Sequence, residues 1–386
     1  MPLINKINQQ IDKNQGFINI AEFMQLALFD EELGYYKTKN PLGKNGDFIT
    51  ASEISQTFCE LITAYFIELT SAENNLSRNS QNANYQLVEM GAGRGAFFID
   101  MLRTIDSLAS KNLTKATKFI EKVEFNIIEV NHELIKLQQE KIKEFFSSAK
   151  IINKKVHYFQ DFTSFIAKVK QAKSSLLFFA NELFDCLPIR QFSYFNNDWQ
   201  EKGVIKQDNQ LKFAFKAVDN ETKTIIEKKI DAPTIKKMQF LGKEAIFEYC
   251  QEAEILMAQI CKSLAENDGF AIIIDYGYLQ NPLIDNLQSL RKHQFSSPLS
   301  NIGAADITSL VDFSSLINIA KEQNIAYSLV SQRDFLISLG IEKRREILLK
   351  NCSLSQKLEI NSSIDRLIDR NQMGELFKCL ILWKNQ

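Results

Sequence analysis

Glycine is scarce in this chain, at 14 of 386 residues, and histidine is scarcer, at three. The histidines, His132, His157 and His293, show no HxxxH spacing. The six cysteines, Cys59, Cys186, Cys250, Cys261, Cys352 and Cys379, form no CxxC pair. That spacing suggests neither a disulfide framework nor a zinc site, and no metal site is expected. Neither a GxSxG elbow nor a GxxxxGK[ST] phosphate loop occurs, so nothing supports a serine-hydrolase or P-loop reading. No run approaches the roughly 18 apolar residues of a membrane helix. The longest, GFAIIIDYGY and LFKCLILW, have the length of strands, and no stable membrane insertion is expected. The opening MPLINKINQQIDKNQGF lacks a signal-peptide apolar core and is not an Arg-rich, acid-free transit pattern, so a soluble protein is expected, cytoplasmic for a bacterial-type chain and in the mitochondrial matrix for a eukaryotic one. Charge of either sign is not in excess: 46 basic and 47 acidic residues leave a net charge of -1. That argues against a dedicated nucleic-acid surface.

Against this scarcity, LVEMGAGRGAFFIDMLR (87–103) places Gly91, Gly93 and Gly95 within five positions. Glycine weakens element interiors, so such a cluster marks a sharp turn or a close approach to the backbone. Around it the pattern alternates between short apolar strands and helices. Strands are expected at 85–90, 123–130, 156–159, 176–180, 269–275, 326–330 and 377–383, and helices at 17–33 (with Asn19 as a cap), 53–70, 96–111 and 132–146. This alternation predicts an α/β fold with a mostly parallel sheet covered by helices on both faces. Residues 190–218 read as an antiparallel meander, 333–371 as added helices, and the polar stretch 71–84 as a linker.

In such sheets ligands bind beyond the carboxyl ends of the strands. Glu89 precedes the glycines by two residues. A carboxylate there suits a ligand with an α-amino group and a sulfonium, and repels a pyrophosphate. GAGRGA nevertheless satisfies the relaxed dinucleotide fingerprint, with Ala96 in its last place, so a nicotinamide cofactor competes with S-adenosylmethionine. Glu129, at the end of the second strand, suits ribose hydroxyls. It lies well beyond the roughly 20-residue spacing of a dinucleotide site. Asp161 and Phe162 offer a carboxylate and a ring to an adenine, or else a helix cap and a core ring. ANELFDCLP sets Asn181, Glu182 and Asp185 after the fourth strand, and IDYGY ends the fifth with Asp275 and Tyr276.

In this order the motifs resemble the MidA family of class I S-adenosylmethionine-dependent methyltransferases. The resemblance is carried by GYY, GDFITASEISQTFCELI, VEMGAGRGAFFIDMLR, NELFDCLPIRQF, IDYGY, RKHQF, GAADITSLVDF, SQRDFLISLGI and MGELFKCLIL, and it runs nearly end to end. Departures are small: TASE (50–53) for the family's TSPE, EMGAGRG for ELGPGRG, and Phe159–Gln160 for Trp-His. The resemblance implies a Rossmann-like, seven-stranded sheet with an antiparallel edge hairpin and with helical and antiparallel-β additions. It also implies a protein arginine as acceptor, symmetric dimethylation, and a complex I subunit as substrate. Catalytically silent assembly chaperones and nicotinamide oxidoreductases are the rival readings.

Under this resemblance Glu89 and Gly91, Ala92, Gly93 and Gly95 hold the methionine part of the cofactor, Glu129 the ribose, and Asp161 with Phe162 the adenine. Asn181 lies beside the methyl, and Glu182 and Asp185 handle the guanidinium. Asp47, Phe48, Thr50, Ser52 and Tyr276 form a lid or substrate face, with Gly43 and Gly46 as hinges. The expected segments are 1–80 (helices and lid), 81–189 (first half of the cofactor-binding core), 190–240 (β insertion), 241–330 (second half of the core), 331–371 (helical insertion) and 372–386 (last core strand).

Overall fold

The computed structural model describes residues 2–38, 49–71, 84–111, 113–151 and 154–385. The chain divides into two units. One comprises Leu42–Leu183, Leu256–Gly277 and Ser315–Gln386; the other comprises Met1–Pro41, Phe184–Ile255 and Tyr278–Ser314.

The first unit is built on strands β1 (Tyr85–Met90), β2 (Val123–Ile128), β3 (Val156–Phe159), β4 (Ser175–Asn181), β5 (Gly269–Tyr278), β6 (Ile325–Ser331) and β7 (Phe377–Lys384). They lie in the order β6-β7-β5-β4-β1-β2-β3. The five from β5 to β3 run parallel, and β7 is antiparallel to both of its neighbours. The expected edge hairpin is therefore present. Strands such as SLLFFAN and FAIII are apolar without alternation because helices cover both of their faces.

Helix α1 (Ala51–Ile54) is short, and α2 (Gln56–Leu69), α3 (Ala96–Ser110), α4 (His132–Ser148), α5 (Phe162–Ala172) and α6 (Leu354–Ile368) follow in chain order. In α3 the buried Phe97, Phe98, Met101, Leu102 and Ile105 recur at helical spacing. Phe97 stacks on Phe179 of β4 at 4.0 Å between centroids, and Phe98 meets Phe125 of β2 edge-on. Each such ring contributes roughly 1.5–3 kcal/mol by leaving water. This packing seats the amino end of α3 at the end of β1.

The second unit centres on an antiparallel sheet whose path runs Ile18–Asn19, Asp198–Gln207, Arg190–Phe195, Phe247–Tyr249, with Gln210–Ala217 beside Asp198–Gln207. Trp199, Phe192, Ile226 and Met238 fill its core. The expected meander is there, and Asn19 caps Ile20–Phe29 in a capping box with Glu22. The segment boundaries differ from the expected ones in two places. Residues 2–38 fold with this unit and not with the lid segment, and the β addition extends beyond 240 to include 278–314. In that stretch Gln288–Arg291, Gln294–Ser296 and Asp306–Thr308 form a small antiparallel sheet of their own, while Val311–Asp312 pairs with β5.

Candidate active site

Register brings the carboxyl ends of the central strands level: Met90 lies opposite both Ile128 and Ala180, Ile128 opposite Phe159, and Asn181 opposite Ile274. Pairing continues one residue past these ends. The Gly91 N–H donates to Ile128 O, Glu129 N–H to Phe159 O, and Glu182 N–H to Ile274 O, at 2.9–3.0 Å. The residues that begin each loop are thus still held by the sheet.

Gly91, Gly93 and Gly95 all have positive φ, at 74°, 54° and 73°. This left-handed backbone explains why glycines cluster here. A Cβ on Gly91 would also come within 2.8 Å of Leu183 Cδ1. Gly91→Ala is expected to destabilise the protein by about 1–3 kcal/mol through backbone strain alone. A melting curve that matches the wild type would contradict this.

Glu89, Gly91, Ala92, Gly93, Asn181, Thr50 and Ser52 line one narrow cavity with Glu53, Arg94, Ala96 and Phe97. Gly95 faces an adjoining cleft of about 910 Å³ that shares Ser52, Glu53, Arg94 and Ala96 with it. Glu89 Oε2 and Asn181 Oδ1 are buried without a hydrogen-bond partner. Burial, and then the charge of Glu129, push the Glu89 carboxyl up to about 8. Two unmet acceptors on the rim beside the glycine loop suit a ligand that is cationic and rich in donors, and they oppose a pyrophosphate.

Glu129 is buried behind this loop. Its Oε1 accepts from the Val130 and Asn131 N–H groups at 2.9 and 3.0 Å. Burial raises it to about 7, against these bonds and those from Gly93 and Gln138. Gln138 of α4, which the sequence reading missed, donates to Gly93 O at 2.6 Å and is fully buried. Its only sequence signal is a polar residue on the apolar face of an amphipathic helix.

The remaining candidates among the described residues do not line that cavity. Asp161 is exposed and caps α5 by accepting from Ser164 N–H at 2.8 Å. The Phe162 ring is 3 % exposed and packs edge-on against Phe178. That ring belongs to the core. Tyr276 packs against Phe377 on the neighbouring strand. Asp185 lies in the 3-10 turn Phe184–Cys186 of the second unit, 8 % exposed. In that unit its charge, with those of Asp306 and Cys186 and above all burial, raises the Tyr36 hydroxyl. Asp47, Phe48, Gly43 and Gly46 lie outside the described residues.

Glu182 has φ +53°, an uncommon conformation for a residue with a side chain. Its Oε1 accepts from Ala51 N–H at 2.7 Å and from Asn181 Nδ2 at 3.1 Å. Burial, opposed by these two bonds, pushes this carboxyl up to about 7.

The strand order, the antiparallel edge and an acidic rim at the glycine loop define a class I methyltransferase. The chain belongs to the Methyltransf_28 family of S-adenosyl-L-methionine-dependent methyltransferases, whose model matches residues 61–330. Protein arginine methyltransferase NDUFAF7 of Danio rerio is 31 % identical over 379 residues, covering 94 % of this chain and 82 % of the relative. Its human counterpart is 28 % identical, covering 100 % and 84 %. The fold is shared with a Burkholderia thailandensis protein crystallised with S-adenosyl-homocysteine, at 22 % identity and a TM-score of 0.79, over 99 % of this chain and 92 % of that one. The protein is therefore an S-adenosylmethionine-dependent methyltransferase, and the nicotinamide reading falls away.

Proposed function

We propose that this enzyme methylates arginine in a protein substrate, producing symmetric dimethylarginine, and that it acts on a subunit during complex I assembly. The names of the curated relatives support the arginine reading. The observation that carries it in this chain is Glu182, a buried carboxylate in left-handed backbone at the end of β4.

The cofactor supplies a methyl group already activated by a sulfonium. Glu89 and Asn181 offer acceptors to its cationic part, the Gly91–Gly95 backbone turns beneath it, and Glu129 is assigned to the ribose. Thr50 and Ser52 cover it. An arginine side chain stays protonated, so its nitrogens attack only when charge is drawn away from the reacting one. Glu182 orients the guanidinium through the other nitrogens. With its carboxyl near 7 it is also poised to take the proton that methylation releases.

The test is transfer of labelled methyl groups from S-adenosylmethionine into proteins of a lysate from cells lacking this gene, followed by amino-acid analysis. Label on symmetric dimethylarginine is expected. Label on lysine or glutamine overturns the arginine reading. Tight S-adenosylhomocysteine binding with no labelled protein favours the assembly chaperone.

A further inference from the structure

Ala51 and Glu182 are 131 residues apart in sequence and are joined by one hydrogen bond of 2.7 Å. Its place is unusual. Thr50 is the residue before α1, and its side chain makes no cap. The distant Glu182 carboxylate satisfies the first N–H of the helix instead. The Glu182 backbone is fixed independently, by its own N–H on Ile274 O and by Leu183 N–H on Asp275 Oδ2 at 3.1 Å. Only the side chain is tied to α1.

Thr50, Ser52 and Glu53 form one wall of the cavity over the glycine loop. That cavity measures about 30 Å³, room for roughly one water. The adjoining cleft of about 910 Å³ has room for the bulk of a ligand carrying an adenosine and an amino acid, but the end that reaches Glu89 and Asn181 enters this narrow part only if a wall moves. The sheet rim is fixed by its ladder bonds and α3 by its packed rings; the third wall, α1, is only four residues long, has Ala51 buried in the core, and is tied to the rim through the Glu182 side chain.

We infer that the Ala51–Glu182 hydrogen bond is a latch: opening α1 to admit the cofactor releases the reacting carboxylate, and closing α1 sets it in place. Ala51 is then a positioning residue acting through its backbone. This inference rests on Glu182 as the reacting base. The charged groups that face Glu182 are Arg366 of α6, which favours its charged form, and Glu53 of α1, which opposes it. The Ala51 N–H also favours the charged form, so losing it raises the pH at which Glu182 ionises.

Ala51→Pro tests the latch. Proline is accepted at the first position of a helix and removes only the N–H. Thr50 is already extended, at φ -77° and ψ 162°, as a residue before proline must be. S-adenosylhomocysteine should dissociate about tenfold faster or more, and the acid limb of kcat should move to higher pH. An unchanged dissociation rate and acid limb overturn the latch. Glu182→Gln with full turnover instead overturns the role of Glu182 as the base, and the latch is then judged by dissociation alone. A second measurement does not depend on proline fitting a fully buried site. Exchange of the Ala51 amide should accelerate at least about tenfold in Glu182→Ala and return to normal in Glu182→Gln, whose amide oxygen still accepts. Equal protection in Glu182→Ala overturns the latch.

Discussion

Glu182→Gln should bind S-adenosylmethionine within about threefold of the wild type while methyl transfer falls about a hundredfold or more, close to 2.7 kcal/mol in the barrier. The replacement keeps the shape of the side chain and an oxygen to accept from Ala51, so the cofactor site is preserved. What is lost is a negative charge to polarise a guanidinium and a base to accept its proton. Both are needed only as the new bond forms, so the loss appears in turnover and not in binding. Single-turnover transfer of labelled methyl, measured beside calorimetric titration of the cofactor, separates the two quantities. Near-normal turnover in the variant would remove Glu182 from the chemistry.

Cofactor affinity should rise with pH, by about tenfold per unit for each proton released. Without a cation nearby, Glu89 is held neutral up to about 8 by burial and by Glu129, and Glu129 up to about 7 by burial. A cationic ligand favours the ionised forms, so binding expels protons below those values and the effect levels off above pH 8. Stability has the opposite sign. Both groups have folded-state pKa values above the unfolded 4.5, so the folded chain binds more protons between pH 4.5 and 8. Cofactor-free protein should therefore lose stability as pH rises through that window, and the ligand should restore it. Titration in two buffers of different ionisation enthalpy counts the protons. A pH-independent dissociation constant between 6 and 8 would mean that neither carboxylate meets the cationic part of the cofactor. Glu89→Gln should flatten most of the slope.

Much of the scaffold was readable because its signals are local. The strands Tyr85–Met90 and Val156–Phe159 fall where their apolar runs begin and end, and Asn19 caps its helix with the Glu22 partner three residues on. The glycine loop was legible because φ near +70° has few other tenants. Contacts made across the chain were not legible. Nothing in TASE announces that Ala51 meets a carboxylate 131 residues later. Gln138 looks like any polar residue on a helix until α4 packs behind Gly93. The choice between a core ring and a stacking ring for Phe162 depends on which neighbour arrives, and Phe178 does. The unit to which residues 278–314 belong was hidden for a similar reason. Strand patterns state that a segment pairs, and only assembly decides with what.

The ladder between β4 and β5 joins residue 181 to residue 274, and the intervening chain builds most of the other unit's antiparallel sheet. During synthesis β4 therefore emerges with β1, β2 and β3 complete while its other edge still waits for a partner. At about 5–20 residues per second that wait lasts some 5–20 seconds. An apolar, unpaired edge of that kind invites pairing with other chains. The nascent enzyme should thus be most vulnerable to aggregation after β4 and before β5. Ribosome-stalled chains ending near residue 240 should be its most chaperone-dependent form.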